Sequence, residues 1–120
     1  MGLVRPHLLD WQWSDYSAKH QSRANLLLHI VTVPLFQVGS VVLVGTAIAG
    51  SSVGMGLGVL GMFAALVIQG RGHRGEREAP VPFDGAADFV SRFVVEQWVT
   101  FPRFVLSGGW RRNLKASSEE

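Results

Sequence analysis

From Ala24 to Gly70 the chain carries no Asp, Glu, Lys or Arg. Few folds accommodate such a run. A membrane-crossing helix needs roughly twenty mostly apolar residues, and Leu26 to Ala49 meets that length. Val53 to Ile68 follows as a second apolar run, slightly short for a full span, which tilt or local thinning accommodates. Gly50-Ser51-Ser52 is the turn signal between them. Two readings stand, a membrane hairpin and a buried helical hairpin of a soluble protein, and the length of uncharged sequence favours the first. Pro34 is expected to kink the first helix, which neighbouring helices in a membrane tolerate.

Composition agrees with a membrane hairpin. The 120 residues suit one domain spanning the whole chain. Charged residues make up 17%, below the usual quarter, and the mean hydropathy is +0.23. Arg5, Lys19 and Arg23 precede the uncharged run, while Arg71, Arg74 and Arg77 follow it. By the positive-inside rule both termini face the cytoplasm, giving a multi-pass protein of the bacterial inner membrane. Flanking arginines suit membrane lipid headgroups, and no continuous basic face for nucleic acid is present. Met1 to Pro6 does not read as a signal peptide. The absence of cysteine excludes disulfides, thiolate metal sites and Cys nucleophiles. A metal would use His, carboxylate or water ligands, which favours iron, zinc or manganese.

The expected fold class is all-α: a membrane helical hairpin with a flanking N-terminal helix and a C-terminal amphipathic helix. The approximate helices are 14–20, 22–49, 53–71 and 85–107. Ser14 or Asp15 caps the first and Ser22 the second. Ala79-Pro80-Val81-Pro82-Phe83 is an extended linker, because each proline disfavours helix in the residue before it. Beyond it, Phe89, Val90, Phe93, Val94, Trp98, Phe101 and Val105 recur at helical spacing with Arg92, Glu96 and Arg103 between them. That stripe reads as an interfacial helix or as a core-facing one. Trp110, Arg111 and Arg112 are expected to anchor at the interface, and Lys115 to Glu120 to fray. Two literal matches to the dinucleotide fingerprint, Gly56 to Gly61 and Gly70 to Gly75, lack the strand before the loop and are rejected. Gly54 and Gly58 form a small-xxx-small pair that permits close helix approach, including a homo-oligomer.

The histidines carry the chemistry. On one continuous helix at about 100° per residue, His20 and His29 end half a turn out of phase. They converge only if the helix breaks between them, where Ser22 supplies a cap. The hairpin brings His29 and His73 to the same end. Asn25 lies one turn before His29, and Gln69 one turn before His73, placing each as a partner. Glu76 follows His73 closely enough to be a ligand, base or supporting group. Three imidazoles with nearby amide and carboxylate groups suit an open metal site. A buried ionisable group such as His29 is costly within a span and is usually functional. His7 lacks such partners and reads as a surface residue.

Tyr16-x-x-x-His20-x-x-x-x-Asn25-x-x-x-His29 with Val33-Pro34, then Gln69-Gly70-Arg71-Gly72-His73 with Glu76 and Pro80, resembles the two signatures of the Mpo-like family of membrane dioxygenases. Together they cover the hairpin, and the C-terminal third matches only in general character. The resemblance implies an Fe(II) enzyme that uses O2 to shorten 2-hydroxy fatty acids by one carbon, an α-oxidation. It places metal ligands at His20, His29 and His73, with Asn25, Gln69 and Glu76 in support. The acidic residue after His73 comes one place earlier than in the yeast pattern, so either Glu76 or Glu78 is its equivalent. The expected assignment is therefore an oxidoreductase of lipid metabolism. Glu76 and Asn25 take the catalytic positions, while Arg71, Arg74 and Gln69 bind the substrate. The competing expectation is a non-enzymatic membrane hairpin that binds lipid or partner helices.

Overall fold

The computed structural model describes residues 3–117, whose regular structure is all helix, without strands. The order is α1 (Leu8–Ser14), α2 (Arg23–Ala49), α3 (Ser52–His73), α4 (Ala86–Val95), a π-helical turn (Glu96–Thr100), α5 (Phe101–Leu106) and α6 (Gly109–Ser117). The all-α hairpin architecture is thus present, with α2 and α3 its two long apolar arms. Both are long and apolar enough to cross a membrane.

Serine caps set both ends of the hairpin. Ser22, in extended conformation, accepts the Asn25 amide at the start of α2. Gly50 closes α2 at φ 75°, a left-handed conformation that suits glycine. Ser51 then accepts the Gly54 amide and opens α3. α2 runs through Pro34 without ending there. The arms pack closely across Gly39 and Gly58: a Cβ on Gly58 would stand 2.7 Å from the Gly39 carbonyl oxygen. Gly58 therefore serves the hairpin's own seam, and Gly54 packs against Thr46 of the opposite arm.

Three expectations are corrected. The first helix lies at Leu8–Ser14, not 14–20. Residues 15–19 form turns, where the His20 ring takes the Tyr16 carbonyl that a continuing helix would use. The helix expected over 85–107 contains a π turn, in which the Phe101 amide donates to the Glu96 carbonyl. Pro102 has no amide hydrogen, so the regular ladder fails at this point in any case. Finally, polar groups of that helix face inward beside Phe101: Asp88, Arg92, Gln97, Thr100 and Phe101 are buried, while Val90, Val94 and Trp98 are 56%, 41% and 46% exposed. Arg92 is held there by Asp88 and by the Val81 and Pro82 carbonyls. The Asp84 amide and the Arg92 guanidinium hold the Asp88 carboxyl below its usual range, against a smaller opposing effect of burial.

α6 closes the bundle. The Trp110 indole donates to the Leu26 carbonyl at 2.9 Å, so this tryptophan ties α6 to α2 and is only partly exposed. Asn113 bonds the Ser17 and His20 carbonyls, holding the turn before α2. Lys115 to Ser117 continue α6 instead of fraying, and residues 118–120 of the expected tail lie outside the described residues.

The seam predicts opposite effects for two glycines. Gly58→Ala should lower stability by about 1–3 kcal/mol, because backbone stands where its methyl must go. Gly45→Ala, with open space at its Cβ, should be neutral or gain up to about 1 kcal/mol. Thermal unfolding of the detergent-solubilised protein measures both.

Candidate metal centre

His20 leaves the turn after α1, His29 sits two turns into α2, and His73 is the last residue of α3. The fold brings all three rings together. Their centroids are 5.1 Å apart for His20 and His29, 4.8 Å for His20 and His73, and 5.1 Å for His29 and His73. Each pair lies near perpendicular, at 86°, 83° and 83°, as rings converging on a shared point do.

Backbone carbonyls orient two of the rings. His20 Nδ1 donates to the Tyr16 carbonyl at 2.7 Å, and His29 Nδ1 to the Asn25 carbonyl at 3.0 Å. A carbonyl only accepts, so Nδ1 carries the hydrogen and Nε2 faces the site. This is how a protein presents imidazole nitrogen to a metal. His20 Nε2, His29 Nε2 and His73 Nδ1 are all buried without a hydrogen-bond partner.

The fourth group is Glu96. Its Oε2 lies 3.3 Å from His20 Nε2 and 3.4 Å from His29 Nε2. One potential ligand atom from each of His20, His29, His73 and Glu96 falls within 4.8 Å of every other. Lone pairs facing one another at such distances repel, and a cation between them reverses the sign. The three orphaned nitrogens with one carboxylate oxygen fit a metal ion.

Glu96 is itself held in place. Tyr16 donates to the same Oε2 at 2.7 Å and stacks on the His20 ring at 3.8 Å. Burial and the Glu96 charge raise the Tyr16 hydroxyl well above its usual range, so it remains a donor. Gln97, next in the chain, exchanges two side-chain hydrogen bonds with Gln69, at 2.9 and 2.8 Å. That amide pair joins the π turn to α3. Such turns recur at functional sites because they re-aim side chains that a regular helix would not bring together.

Other sequence-derived site residues fall elsewhere. The expected ligand or base, Glu76, lies outside the cluster among the described residues. Its carboxylate accepts the Gln21 and Ser22 amides, both at 2.9 Å, and Asn25 Nδ2 at 2.7 Å. It is thereby engaged as a strut. Glu78 is exposed. Asn25 is fully buried; its carbonyl holds His29 and its side chain holds Glu76. Gly72 makes room for it, since a Cβ there would collide with Asn25 Oδ1. Arg71 and Arg74 are exposed and do not line the cavity beside the cluster, whereas Gln69 does. His7 is exposed, as expected.

That cavity, of about 250 Å³, is walled mainly by Trp11, Leu66, Phe83, Phe89 and Phe93. His20, His73 and Glu96 also line it. The site can therefore receive a mostly apolar molecule directly beside its ligating groups. No protein-family model, curated protein or solved structure matches the chain.

Sequence reasoning missed Glu96 because the acid was read as a spacer in an apolar stripe. The available signal was local: Glu96-Gln97 interrupts that stripe, and Pro102 follows closely enough to disturb the helix. The two glutamates should separate experimentally. Glu96→Ala is expected to weaken Co(II) binding by at least about tenfold and change its visible absorption. Glu76→Ala should lower the melting temperature while leaving that spectrum largely unchanged.

Proposed function

We propose that this protein is a membrane enzyme that uses Fe(II) and O2 to shorten 2-hydroxy fatty acids by one carbon. The observation that carries the reading is the convergence of three buried, unpartnered imidazole nitrogens with Glu96 beside an apolar cavity. The resemblance of the Tyr16-to-His29 and Gln69-to-His73 segments to the Mpo-like family supplies the chemistry.

The membrane part rests on the surface of the hairpin. Of the most apolar window of each arm, only 28% in α2 and 17% in α3 is covered by the rest of the fold. Val31, Val38, Val41 and Ile48 on α2, with Val53, Leu57 and Phe63 on α3, are more than half exposed. A soluble core helix would bury such residues, and lipid covers them here. At about 1.5 Å per residue, the 27 residues of α2 reach about 40 Å, beyond the ~30 Å hydrocarbon core. The histidine end lies opposite the Gly50 turn, with Arg71, Arg74 and Arg77 following α3. The positive-inside rule therefore puts it at the cytoplasmic face of a bacterial inner membrane.

His20, His29, His73 and Glu96 would hold the iron, a hard and borderline donor set that suits Fe(II). Bound there, iron would supply the redox chemistry by which O2 attacks an otherwise inert carbon–carbon bond. One 2-hydroxy acid and one O2 balance to the acid one carbon shorter, CO2 and water, so no further reductant is required. The chain's own contribution is to exclude water with its aromatic wall and to seat the acyl chain beside the cluster. Tyr16 keeps its proton on Glu96 Oε2, and the Gln69–Gln97 pair keeps the carboxylate facing the imidazoles.

Anaerobic reconstitution should give close to one equivalent of iron in folded protein, and 2-hydroxypalmitate should then yield the C15 acid. His29→Ala should remove more than the roughly 10–100-fold typical of losing an outer partner. Folded protein that takes up well below one equivalent would leave a non-enzymatic membrane hairpin as the better account. Unchanged turnover in His29→Ala would remove that ring from the chemistry.

A further inference from the structure

A fatty acid brings a carboxylate, and the arginines first expected to meet it lie outside the cavity. Two cations do line the cavity, Lys19 and Arg92. Arg92 is already committed: its guanidinium bonds Asp88 Oδ2 at 3.1 Å, the Val81 carbonyl at 2.7 Å and the Pro82 carbonyl at 3.3 Å. It also lies over the Phe83 ring at 4.1 Å.

Lys19 is placed differently. Its ammonium pairs with Asp15 Oδ2 at 2.9 Å, one turn back in the chain. The two partners are unequally covered: the lysine side chain is 18% exposed and the aspartate 43%. The cation is thus the more covered of the two, and both partners line the cavity. An ammonium carries three donors, and this one borders a cavity walled mainly by aromatic and aliphatic groups. Covering a charge there is costly unless an anion joins it, and Asp15, which lines the same cavity, is the anion that a bound carboxylate would have to displace. The neighbouring residue, His20, lines the same cavity and belongs to the metal cluster.

We propose that Lys19 is the carboxylate anchor of the cavity, binding the head of a fatty acid in exchange for part of its contact with Asp15. The proposal rests on the fatty-acid reading above and assigns the group that selects an acid over an uncharged lipid. With the carboxylate on Lys19, the first carbons remain at the histidine end and the tail lies among Trp11, Phe89 and Phe93. Asp15 acts as a built-in competitor for the ammonium, so removing its charge strengthens acid binding and removing Lys19 weakens it. A purely structural ion pair would instead respond to both changes in the same direction.

The test uses the full detergent-solubilised chain without metal, so that turnover cannot interfere. Calorimetric titration compares 2-hydroxypalmitate with hexadecane-1,2-diol, which lacks the carboxylate. Lys19→Gln should weaken binding of the acid by roughly tenfold or more, the loss of one charge-assisted hydrogen bond, and leave the diol unchanged. Lys19→Arg should retain acid binding, and Asp15→Asn should tighten it. Equal affinity of Lys19→Gln and wild type for the acid would overturn the proposal. So would parallel losses for acid and diol, weakening by Asp15→Asn, or failure of the wild-type protein to bind the acid. A wild-type protein that binds the acid through Lys19 but does not consume it with Fe(II) and O2 sinks the oxygenase reading and leaves the anchor standing.

Discussion

One carboxylate joins the two ends of the hairpin. Glu76 lies three residues beyond His73 and accepts hydrogen bonds from the Gln21 amide, the Ser22 amide and the Asn25 side chain. It satisfies donors at the start of α2, where a negative charge is also favoured by the helix dipole. Because the contact spans the end of α3 and the break before α2, it holds His73 beside the chain that carries His20 and His29. Ser22 and Gly72 make the joint possible, one by capping the new helix and the other by admitting Asn25.

The cluster is therefore oriented before anything binds. Carbonyls of Tyr16 and Asn25 lock two imidazoles, and each of those residues has a second duty. The Tyr16 hydroxyl holds Glu96, and the Asn25 side chain reaches Glu76. The Gln69–Gln97 pair adds a third tie, extended by Gln37 to the Gln97 carbonyl. In a low-dielectric interior such a network is costly when incomplete and rigid when complete. Among the described residues, three of the six buried side-chain atoms left without a partner, His20 Nε2, His29 Nε2 and His73 Nδ1, lie where the rings meet, which is the place a metal would complete.

The C-terminal helical segment shows how the surroundings decide which face turns inward. Its apolar and polar stripes were both visible in the sequence, and water as solvent would place the apolar one inside. The structure buries Asp88, Arg92, Gln97 and Thr100 together with Phe101 and Phe104, and turns Val90, Val94 and Trp98 outward. On the proposed membrane reading this follows from the solvent: lipid accepts the apolar face, while the polar groups find partners against α1, α2 and the 80–83 linker. The π turn then rotates the helix enough for Glu96 and Gln97 both to face the hairpin.

The sequence by itself determined the hairpin, its Gly50 turn, the Ser22 cap and the meeting of His29 with His73. All of these follow from local rules: the length of an apolar run, the conformational freedom of glycine, a serine's reach to a nearby amide, and the return of an antiparallel arm. Tertiary structure decided the carboxylate that faces the histidines and the cations that line the cavity. Glu76 and Glu96 are the same residue type, and the break that Glu96-Gln97 and Pro102 make in the apolar stripe marks a disturbed helix without saying which glutamate meets the rings. What separates them is packing across the chain, with three donors from the start of α2 claiming Glu76 and a helical phase shift turning Glu96 towards the rings. Interactions at short sequence separation leave a readable pattern of residue types. A choice between two distant carboxylates depends on which donors each meets once the helices are packed.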